Sequence, residues 1–307
     1  MKSPTSQISN STKAGVKTLE STPSKVSDYA QLVKVNLTLI VVLTAVGSFV
    51  IASGLSAGWV DIVVLALGGF FVTGASNALN EVLERDFDKI MKRTMNRPVV
   101  TGRMSVSEAV LAAGLMCMLG ITLLALFNPL CGLLGMIAFV LYAFVYTPLK
   151  RYSGAAVFVG AIAGAMPMLI GVVAFTGELT LLALGLFLIQ FFWQYPHFWS
   201  IAFKGYKDYK KAGFKFIPEG DEEFPARSIG ANGVVMSLFL LPSLWLIYLS
   251  GFDGVFSMLT LVILTLGYIF ASVRFFQKFD SRSALQLLLS SIAYIPAVLL
   301  VIIIGMI

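Results

Sequence analysis

Long apolar runs recur along most of the chain and limit what it can fold into. A helix needs roughly 20 mostly apolar residues to cross a hydrocarbon core about 30 Å thick. Nine such runs occur, at Val35–Leu55, Val60–Leu83, Val106–Phe127, Leu130–Leu149, Ala155–Phe175, Leu179–Phe203, Ile229–Leu249, Phe256–Phe276 and Ala284–Ile307. Because 58% of residues are hydrophobic and only 12% are charged, the sequence predicts an integral membrane protein. The fold class is therefore all-α, a bundle of nine transmembrane helices in a lipid bilayer.

Basic residues are confined to one side of this predicted bundle. All 22 Lys and Arg lie in the N-terminal tail, in the loops after spans two, four, six and eight, or, for Arg274, in the last turn of span eight. The opposite loops carry only Asp61, Glu178 and Asp253. Since Lys and Arg accumulate in loops kept in the cytoplasm, we expect a cytoplasmic N-terminus and, after nine spans, an extracytoplasmic C-terminus. The bases flank membrane spans, so we expect no nucleic acid partner.

The N-terminal segment and the cysteines carry no predicted chemistry. Residues 1–30 are rich in Ser, Thr and Lys and have no hydrophobic core, so we expect a disordered polar tail before a membrane domain at residues 31–307. The tail makes a poor mitochondrial transit peptide because no Arg precedes Arg85 in the chain, which favours a bacterial inner membrane. Cys117 and Cys131 lie in or beside apolar spans and are expected to be packing residues. Span six contains Pro196 and is expected to break or kink there.

Polar residues continue the second span in a regular pattern within "NALNEVLERDFDKIMKRTMNRPVVTG". Asn80, Glu84 and Asp88 are four residues apart and share one stripe of a helix, with Asn77 one turn earlier. Glu81 and Asp86 point elsewhere. Amide and carboxylate oxygens in this order suit a hard cation such as Mg²⁺, which binds through one or two carboxylates together with substrate phosphates.

Basic residues follow this stripe directly. Among them are Arg93 and Arg97, which could grip a diphosphate through paired N–H donors. The competing interpretation is that the acids and bases only form surface salt bridges. Asn77 and Asn80 argue against it, because they lie inside an apolar span, where polar groups are costly and usually face a cavity or the bundle interior.

Two further segments on the same face repeat the theme. The loop after span six includes "WQYPHFWSIAFKGYKDYKKAGFKFIP", with the only His of the chain, His197, and with Lys207 and Asp208. The short loop after span four, "YTPLKR", contributes Lys150 and Arg151. These positions place a predicted site at the cytoplasmic face, near spans two, four and six, with spans two and six as its facing halves.

These segments resemble a known family. "NEVLERDFDKIMKRTMNRP" is similar to the first Asn/Asp-rich motif of the UbiA-type intramembrane prenyltransferases, Asn-x-x-x-acid-x-x-x-Asp. Together with "YTPLKR", "GAIAGAMPMLIG" and the span-six segment, it resembles the protohaem IX farnesyltransferase branch, the haem O synthases. The likeness spans most of residues 35–307. It implies a nine-helix bundle, Mg²⁺, and transfer of farnesyl from farnesyl diphosphate to a vinyl group of haem B, with haem A synthase as a downstream partner.

The resemblance also assigns roles to residues. It implies a metal site at Asn80, Glu84 and Asp88, with Asp208 opposite. Arg93, Arg97, Lys150, Arg151 and Lys207 would then bind the diphosphate, and His197 is a candidate haem contact. His197 could equally bond a backbone carbonyl near Pro196.

The chain departs from the family pattern at two places, and two alternatives to this function stay open. Glu84 stands where Asp is common, and only Asp208 represents the second acidic motif. A related enzyme acting on an aromatic quinone precursor is the first alternative. A membrane transporter is the second, and it is disfavoured because transporters bind at the bilayer midplane whereas these charges lie at one face.

Overall fold

The computed structural model describes residues 23–54, 56–217, 226–252 and 254–306. Within these ranges the chain is helical, and nine helical segments are long and apolar enough to cross a membrane. The spans are Val35–Ser53, Trp59–Leu83, Val106–Ala125, Pro129–Leu149, Ala155–Thr176, Leu181–Ala212, Ser228–Leu249, Val255–Lys278 and Ser281–Ile304. The predicted fold class is confirmed.

Several spans are composites, and short helices lie between them. In chain order the α-helices are α1 Lys25–Leu32, α2 Val35–Ser53, α3 Trp59–Leu83, α4 Arg85–Asp88, α5 Pro98–Thr101, α6 Val106–Ala125, α7 Pro129–Val140, α8 Thr147–Leu149, α9 Ala155–Thr176, α10 Leu181–Ala212, α11 Ala226–Leu238, α12 Leu240–Leu249, α13 Val255–Lys278 and α14 Ser281–Ile304. A π-helix, Leu141–Tyr146, joins α7 to α8 inside the fourth span.

The predicted break at Pro196 is wrong, because α10 continues from Leu181 to Ala212. Proline removes one backbone donor from a helix, and neighbouring side chains can satisfy the freed groups. Here the Tyr268 hydroxyl, from α13, donates at 2.9 Å to the carbonyl of Trp193, the neighbour of the Phe192 carbonyl that loses its i→i−4 donor at Pro196. The helix therefore extends about two turns beyond the predicted end at Phe203 and carries Lys207 and Asp208 with it.

The predicted tail is also too long. Helix α1 begins at Lys25, capped by the Ser24 side chain. Arg103 bonds Asp28 at 2.8 Å, and Lys25 pairs with Glu108 at 3.0 Å. These contacts hold residues 25–30 against the loop after α3, so they are not a disordered tail. Residues 1–22 lie outside the described residues.

Small residues set the closest helix crossings. A Cβ added to Gly120 of α6 would lie 2.8 Å from the Val72 nitrogen of α3. One added to Gly171 of α9 would lie 2.1 Å from the Ala45 oxygen of α2. Such close approach of backbones is the usual means of helix association in membranes. It fixes α3, which carries Asn77 and Asn80, against α6, and α9 against α2.

Candidate active site

The polar stripe continues past the end of α3. The helix ends at Leu83, but the Glu84 amide still bonds the Asn80 carbonyl at 3.0 Å and the Asp88 amide bonds the Glu84 carbonyl at 2.8 Å. The four-residue spacing therefore keeps its helical phase through the short helix α4. Asn80, Glu84 and Asp88 are 2%, 5% and 2% exposed. Three oxygen-bearing side chains thus lie buried in one row, as the sequence predicted.

Each member of this row is engaged by one basic side chain. Asp88 pairs with Arg97 at 2.5 Å, and Glu84 pairs with Lys150 of the loop after α8. The Lys34 ammonium donates to the Asn80 amide oxygen at 3.0 Å and to the Asn77 oxygen at 3.3 Å. We call Asn80, Glu84 and Asp88 the oxygen row and Lys34, Lys150 and Arg97 its basic partners.

Lys34 is the functional candidate that the sequence did not reveal. It lies between α1 and α2, and its backbone adopts the left-handed conformation, with φ of 51°. A non-glycine residue in that region costs of order 1–3 kcal/mol and persists only where the surroundings impose it. Sequence reasoning counted Lys34 with the topological bases, because nothing in its neighbourhood marks it as a ligand.

Neighbouring acceptors fix the direction of the two amides. The Asn80 nitrogen donates to the Thr147 hydroxyl at 3.2 Å. The Asn77 nitrogen donates to the Thr38 hydroxyl and to the Val33 carbonyl, both at 3.2 Å. Because both nitrogens are used in this way, both amide oxygens face the Lys34 ammonium.

The π-helix brings the fourth span to the row. Single π-turns within membrane helices often occur at functional sites. Here the turn ends at Tyr146, and Thr147 and Lys150 follow it. The Lys150 ammonium lies 4.7 Å from the centre of the Tyr146 ring, a cation–π distance. The ring of Tyr146 fills the space that a side chain at Gly160 of α9 would need, 2.7 Å from an added Cβ.

Glu81 has a separate role. It is fully buried, and its Oε1 accepts the Val99 backbone N–H at 3.1 Å, while its Oε2 has no partner among the described residues. Val99 lies in the first turn of α5, where free N–H groups and the helix dipole favour an anion. Glu81 thereby holds the start of α5, and with it Arg97, beside Asp88. Asp86, in contrast, is an exposed partner of Lys89, which lowers its pKa.

The loops after spans two and six meet as predicted. The ring of Phe87 lies 5.1 Å from that of Phe214, and Arg93 bonds the Tyr209 hydroxyl at 3.4 Å. The Lys215 amide donates to the Lys150 carbonyl at 2.9 Å. The residue of α10 that reaches the first loop is thus Tyr209, which sequence reasoning did not select.

The remaining predicted site residues are less closely gathered. Lys207 is exposed and Asp208 is half-buried on the last turns of α10. No three His, Cys, Asp or Glu side chains of the described residues converge as a metal-ligand cluster, so Asp208 does not join Glu84 and Asp88 in this arrangement. Arg151 donates to the Leu83 carbonyl and lies 4.3 Å from the Phe87 ring centre. It therefore braces the end of α3 and does not face the row as Lys150 does.

His197 lies deeper, within the second half of the bundle. Its Nδ1 is 2.7 Å from the Ser291 hydroxyl of α14, and its ring stacks on Trp193 at 4.8 Å. The expected bond to a backbone carbonyl near Pro196 is not the contact that its ring makes. The hydroxyl partner orients the imidazole and leaves Nε2 as the nitrogen that could meet a ligand.

Burial decides the electrostatics of the row. Burial, together with the nearby charges of Arg97 and Lys150, lowers the pKa of Lys34 to about 7. Burial raises the pKa of Asp88, although the Arg97 guanidinium opposes that shift. A divalent cation would favour the ionised carboxylates.

The donor set fits Mg²⁺. That ion takes hard oxygen ligands, often only one or two protein carboxylates, and completes its shell with waters and substrate phosphates. The row offers two carboxylates and an amide oxygen, and the Lys34 ammonium already acts as a stand-in cation on that amide. Arg97 and Lys150 add the charges that a diphosphate requires.

The fold and the row together define a class, a multi-pass membrane enzyme whose buried site suits a metal-bound anionic substrate. The chain belongs to the UbiA prenyltransferase family, whose model matches residues 40–293.

Similar relatives cover nearly the whole chain. A protoheme IX farnesyltransferase of Flavobacterium psychrophilum is 36% identical over 93% of this chain and 96% of its own length. One of Cytophaga hutchinsonii is 37% identical, over 90% and 96% respectively.

Solved structures support the fold alone, since their sequence identity is low. A digeranylgeranylglyceryl phosphate synthase has a TM-score of 0.76 at 17% identity and covers 92% of this chain and 98% of its own. A UbiA homolog from Archaeoglobus fulgidus, bound to GPP and Mg2+, has a TM-score of 0.67 at 19% identity, covering 90% and 99%.

Proposed function

We propose that the chain is a protohaem IX farnesyltransferase that transfers the farnesyl group of farnesyl diphosphate to a vinyl group of haem B and yields haem O. The observation that carries the proposal is the buried oxygen row with one basic partner for each member. Family membership and the names of the relatives support the same reaction. The product would serve haem A synthesis, with haem A synthase as the next enzyme.

The oxygen row and its basic partners would hold the diphosphate. Asn80, Glu84 and Asp88 are proposed metal ligands, and Asp208 would approach from the end of α10 when substrate is bound. Mg²⁺, when bound there, would neutralise charge that grows on the departing diphosphate. Arg97 and Lys150 would take the remaining negative charge, because preorganised cations aimed at developing charge lower the barrier most.

Other bases play supporting parts in this proposal. Arg93, in the loop after α4, and Lys207, on the last turns of α10, would contact the outer phosphate. Arg151 would act by bracing the end of α3 rather than by direct contact, since its guanidinium is already bound to the Leu83 carbonyl.

The transfer of the farnesyl group needs no covalent enzyme intermediate. Loss of diphosphate gives the farnesyl chain allylic cation character, and the haem vinyl group attacks it. Water then adds to the resulting cation, and the released proton passes to the diphosphate. In this proposal the apolar side chains of the bundle would orient the farnesyl chain and limit early attack by water.

His197 is proposed to contact haem B through Nε2, either at iron or at a propionate. Replacing His197 by Ala should weaken haem B binding, measured by Soret titration of the purified protein. Ser291→Ala is the matched control, because it removes only the hydroxyl that orients the ring. Unchanged haem affinity in His197→Ala would exclude this contact.

The membrane and the orientation are also part of the proposal. The basic loops favour a bacterial inner membrane with the site at the cytoplasmic face. A cysteine introduced in the loop after α9 should react with a membrane-impermeant reagent added outside intact cells. A cysteine introduced in the loop after α4 should react with that reagent only when it has access to the cytoplasm. The reverse pattern would invert the topology.

A direct assay tests the reaction. Purified protein is incubated with haem B, farnesyl diphosphate and Mg²⁺, and the product is identified by mass. Haem O is expected, and its formation should stop with EDTA. A folded protein that makes no haem O would refute the assignment, and a prenylated product from 4-hydroxybenzoate would favour a quinone-type acceptor instead.

A further inference from the structure

The Lys34 ammonium and a metal ion cannot use the Asn80 amide oxygen together. Lys34 lies 3.0 Å from that oxygen, and a Mg²⁺ ligand lies at about 2.0–2.1 Å from the ion. Two cations sharing one oxygen at these distances would repel strongly in a buried site. While Lys34 carries its charge, metal binding at Asn80 therefore requires the ammonium to move away from that oxygen.

The surroundings allow this movement and not a rotation of the amides. The Asn80 and Asn77 nitrogens are committed to Thr147 and to Thr38, respectively, so their oxygens stay where they are. Lys34 is only half-buried, and its four-carbon side chain is the flexible partner. Its left-handed backbone anchors the Cα beside the row while the ammonium changes position.

A diphosphate is the next partner that the ammonium would need. Moving an unpaired charge within a buried site is costly, and Asp88 and Glu84 already pair with Arg97 and Lys150. An anion arriving with the metal would give Lys34 a new partner at the moment it loses the asparagines. The same exchange applies to the two ion pairs, because each base can pass from its carboxylate to a phosphate.

We propose that Lys34 competes with the metal for the Asn77 and Asn80 oxygens and moves onto the diphosphate, so that metal and prenyl diphosphate bind as a coupled pair. This inference rests on the proposed function for the identity of the two ligands. Lys34 is in this view a positioning residue that keeps the row closed to a metal arriving alone. Coupling of two ligands is reciprocal, so its loss should appear in both affinities.

Binding of Mn²⁺, a spectroscopic substitute for Mg²⁺, tests the proposal without turnover. Free Mn²⁺ is measured by electron paramagnetic resonance in titrations of the detergent-purified full chain, first alone and then with a non-hydrolysable farnesyl thiolodiphosphate. Lys34→Met should bind Mn²⁺ alone about tenfold more tightly than wild type, within the usual range of coupling. The analogue should bind the variant about tenfold more weakly than wild type, and its enhancement of Mn²⁺ binding should fall.

Three controls make the result decisive. Lys278→Met removes a base from the same face at the end of α13 and should match wild type. Asp88→Asn should abolish the Mn²⁺ signal, which assigns it to the oxygen row. Lys34→Asn keeps a residue that tolerates the left-handed conformation and removes the ammonium, so it serves if Lys34→Met does not fold.

The outcomes separate this inference from the proposed function. Weaker Mn²⁺ binding or unchanged Mn²⁺ binding in both folded Lys34 variants would overturn the competition. Absence of Mn²⁺ binding to wild type under every condition would instead refute the metal site itself. Haem B is not present in the experiment, so the identity of the acceptor does not affect the result.

Discussion

Two segments at the basic face have similar composition and different structures. The segment from Asn77 to Arg97 and the end of α10 both mix acids with Lys or Arg, and both follow an apolar run. In the first, Glu84 and Asp88 are buried and each has a base. In the second, Lys207 and Asp208 form no ion pair among the described residues. Burial with pairing, rather than the presence of charges, distinguishes the core of the site from its rim.

The largest effect should come from breaking the row at its most buried ion pair. Asp88→Asn should lower haem O formation by roughly 100-fold or more, because it removes a proposed metal ligand. It also leaves Arg97 without its partner, which costs about 3–5 kcal/mol for a buried pair. Mass-based product assays and thermal unfolding measure the two losses. Asp86→Asn, at an exposed pair, should change both very little, and equal effects of the two variants would contradict the comparison.

A second substitution distinguishes two adjacent bases. Lys150→Met should raise the KM for farnesyl diphosphate roughly 30-fold, because charge-assisted contacts to phosphate are among the stronger hydrogen bonds. Arg151→Met should raise it much less, since this guanidinium bonds the Leu83 carbonyl. Both variants should lower thermal stability, Lys150→Met because it leaves the buried Glu84 carboxylate without its partner. Steady-state kinetics at saturating haem B give the comparison. A larger rise in KM for Arg151→Met than for Lys150→Met would contradict the assignment of Lys150, and not Arg151, to the diphosphate.

The end of α10 should be less sensitive. Asp208→Asn should lower kcat/KM about tenfold, in the range for a supporting metal contact, and should leave thermal stability unchanged because the side chain is only half-buried. Lys207→Met is the neighbouring control for charge and should have a smaller effect. A loss as large as that of Asp88→Asn would move Asp208 from the rim to the core of the site.

The smallest predicted effect concerns Glu81, which acts through α5. Glu81→Leu leaves the Val99 N–H without an acceptor, at a cost of about 1–3 kcal/mol, and should lower activity roughly fivefold by loosening Arg97. Glu81→Gln keeps an acceptor oxygen and should restore most of both properties. Thermal unfolding and turnover are measured on both variants, and equal defects would indicate that the charge, not the bond to Val99, matters.

The sequence predicted the bundle well because apolar length is a local property. Every span appears within a few residues of its predicted position, apart from span six, which extends to Ala212. Pro196 misled the prediction because the hydroxyl that satisfies the helix at that point comes from Tyr268, about 70 residues later. Local pattern cannot supply such a partner.

The site was predictable where its residues share a helix or carry a charge in a loop at the same face, as Arg97 and Lys150 do. Helical phase found Asn80, Glu84 and Asp88, since their spacing is fixed along the chain. Lys34 and Tyr209 were missed because they reach the site from other elements, through a left-handed residue and through the extension of α10. The role of Glu81 was missed for the same reason, since its partner Val99 lies beyond a turn.

Helix α1 has a practical consequence for work on this protein. It ends immediately before Lys34, and Asp28 and Tyr29 tie it to Arg103 and Glu108. Composition alone would suggest a shortened chain that begins at residue 31. Such a chain would lose these contacts, and Lys34, which donates to the Asn77 and Asn80 oxygens, would no longer be held in place. Affinity tags and fusion partners therefore belong ahead of residue 23, where they leave this anchor intact.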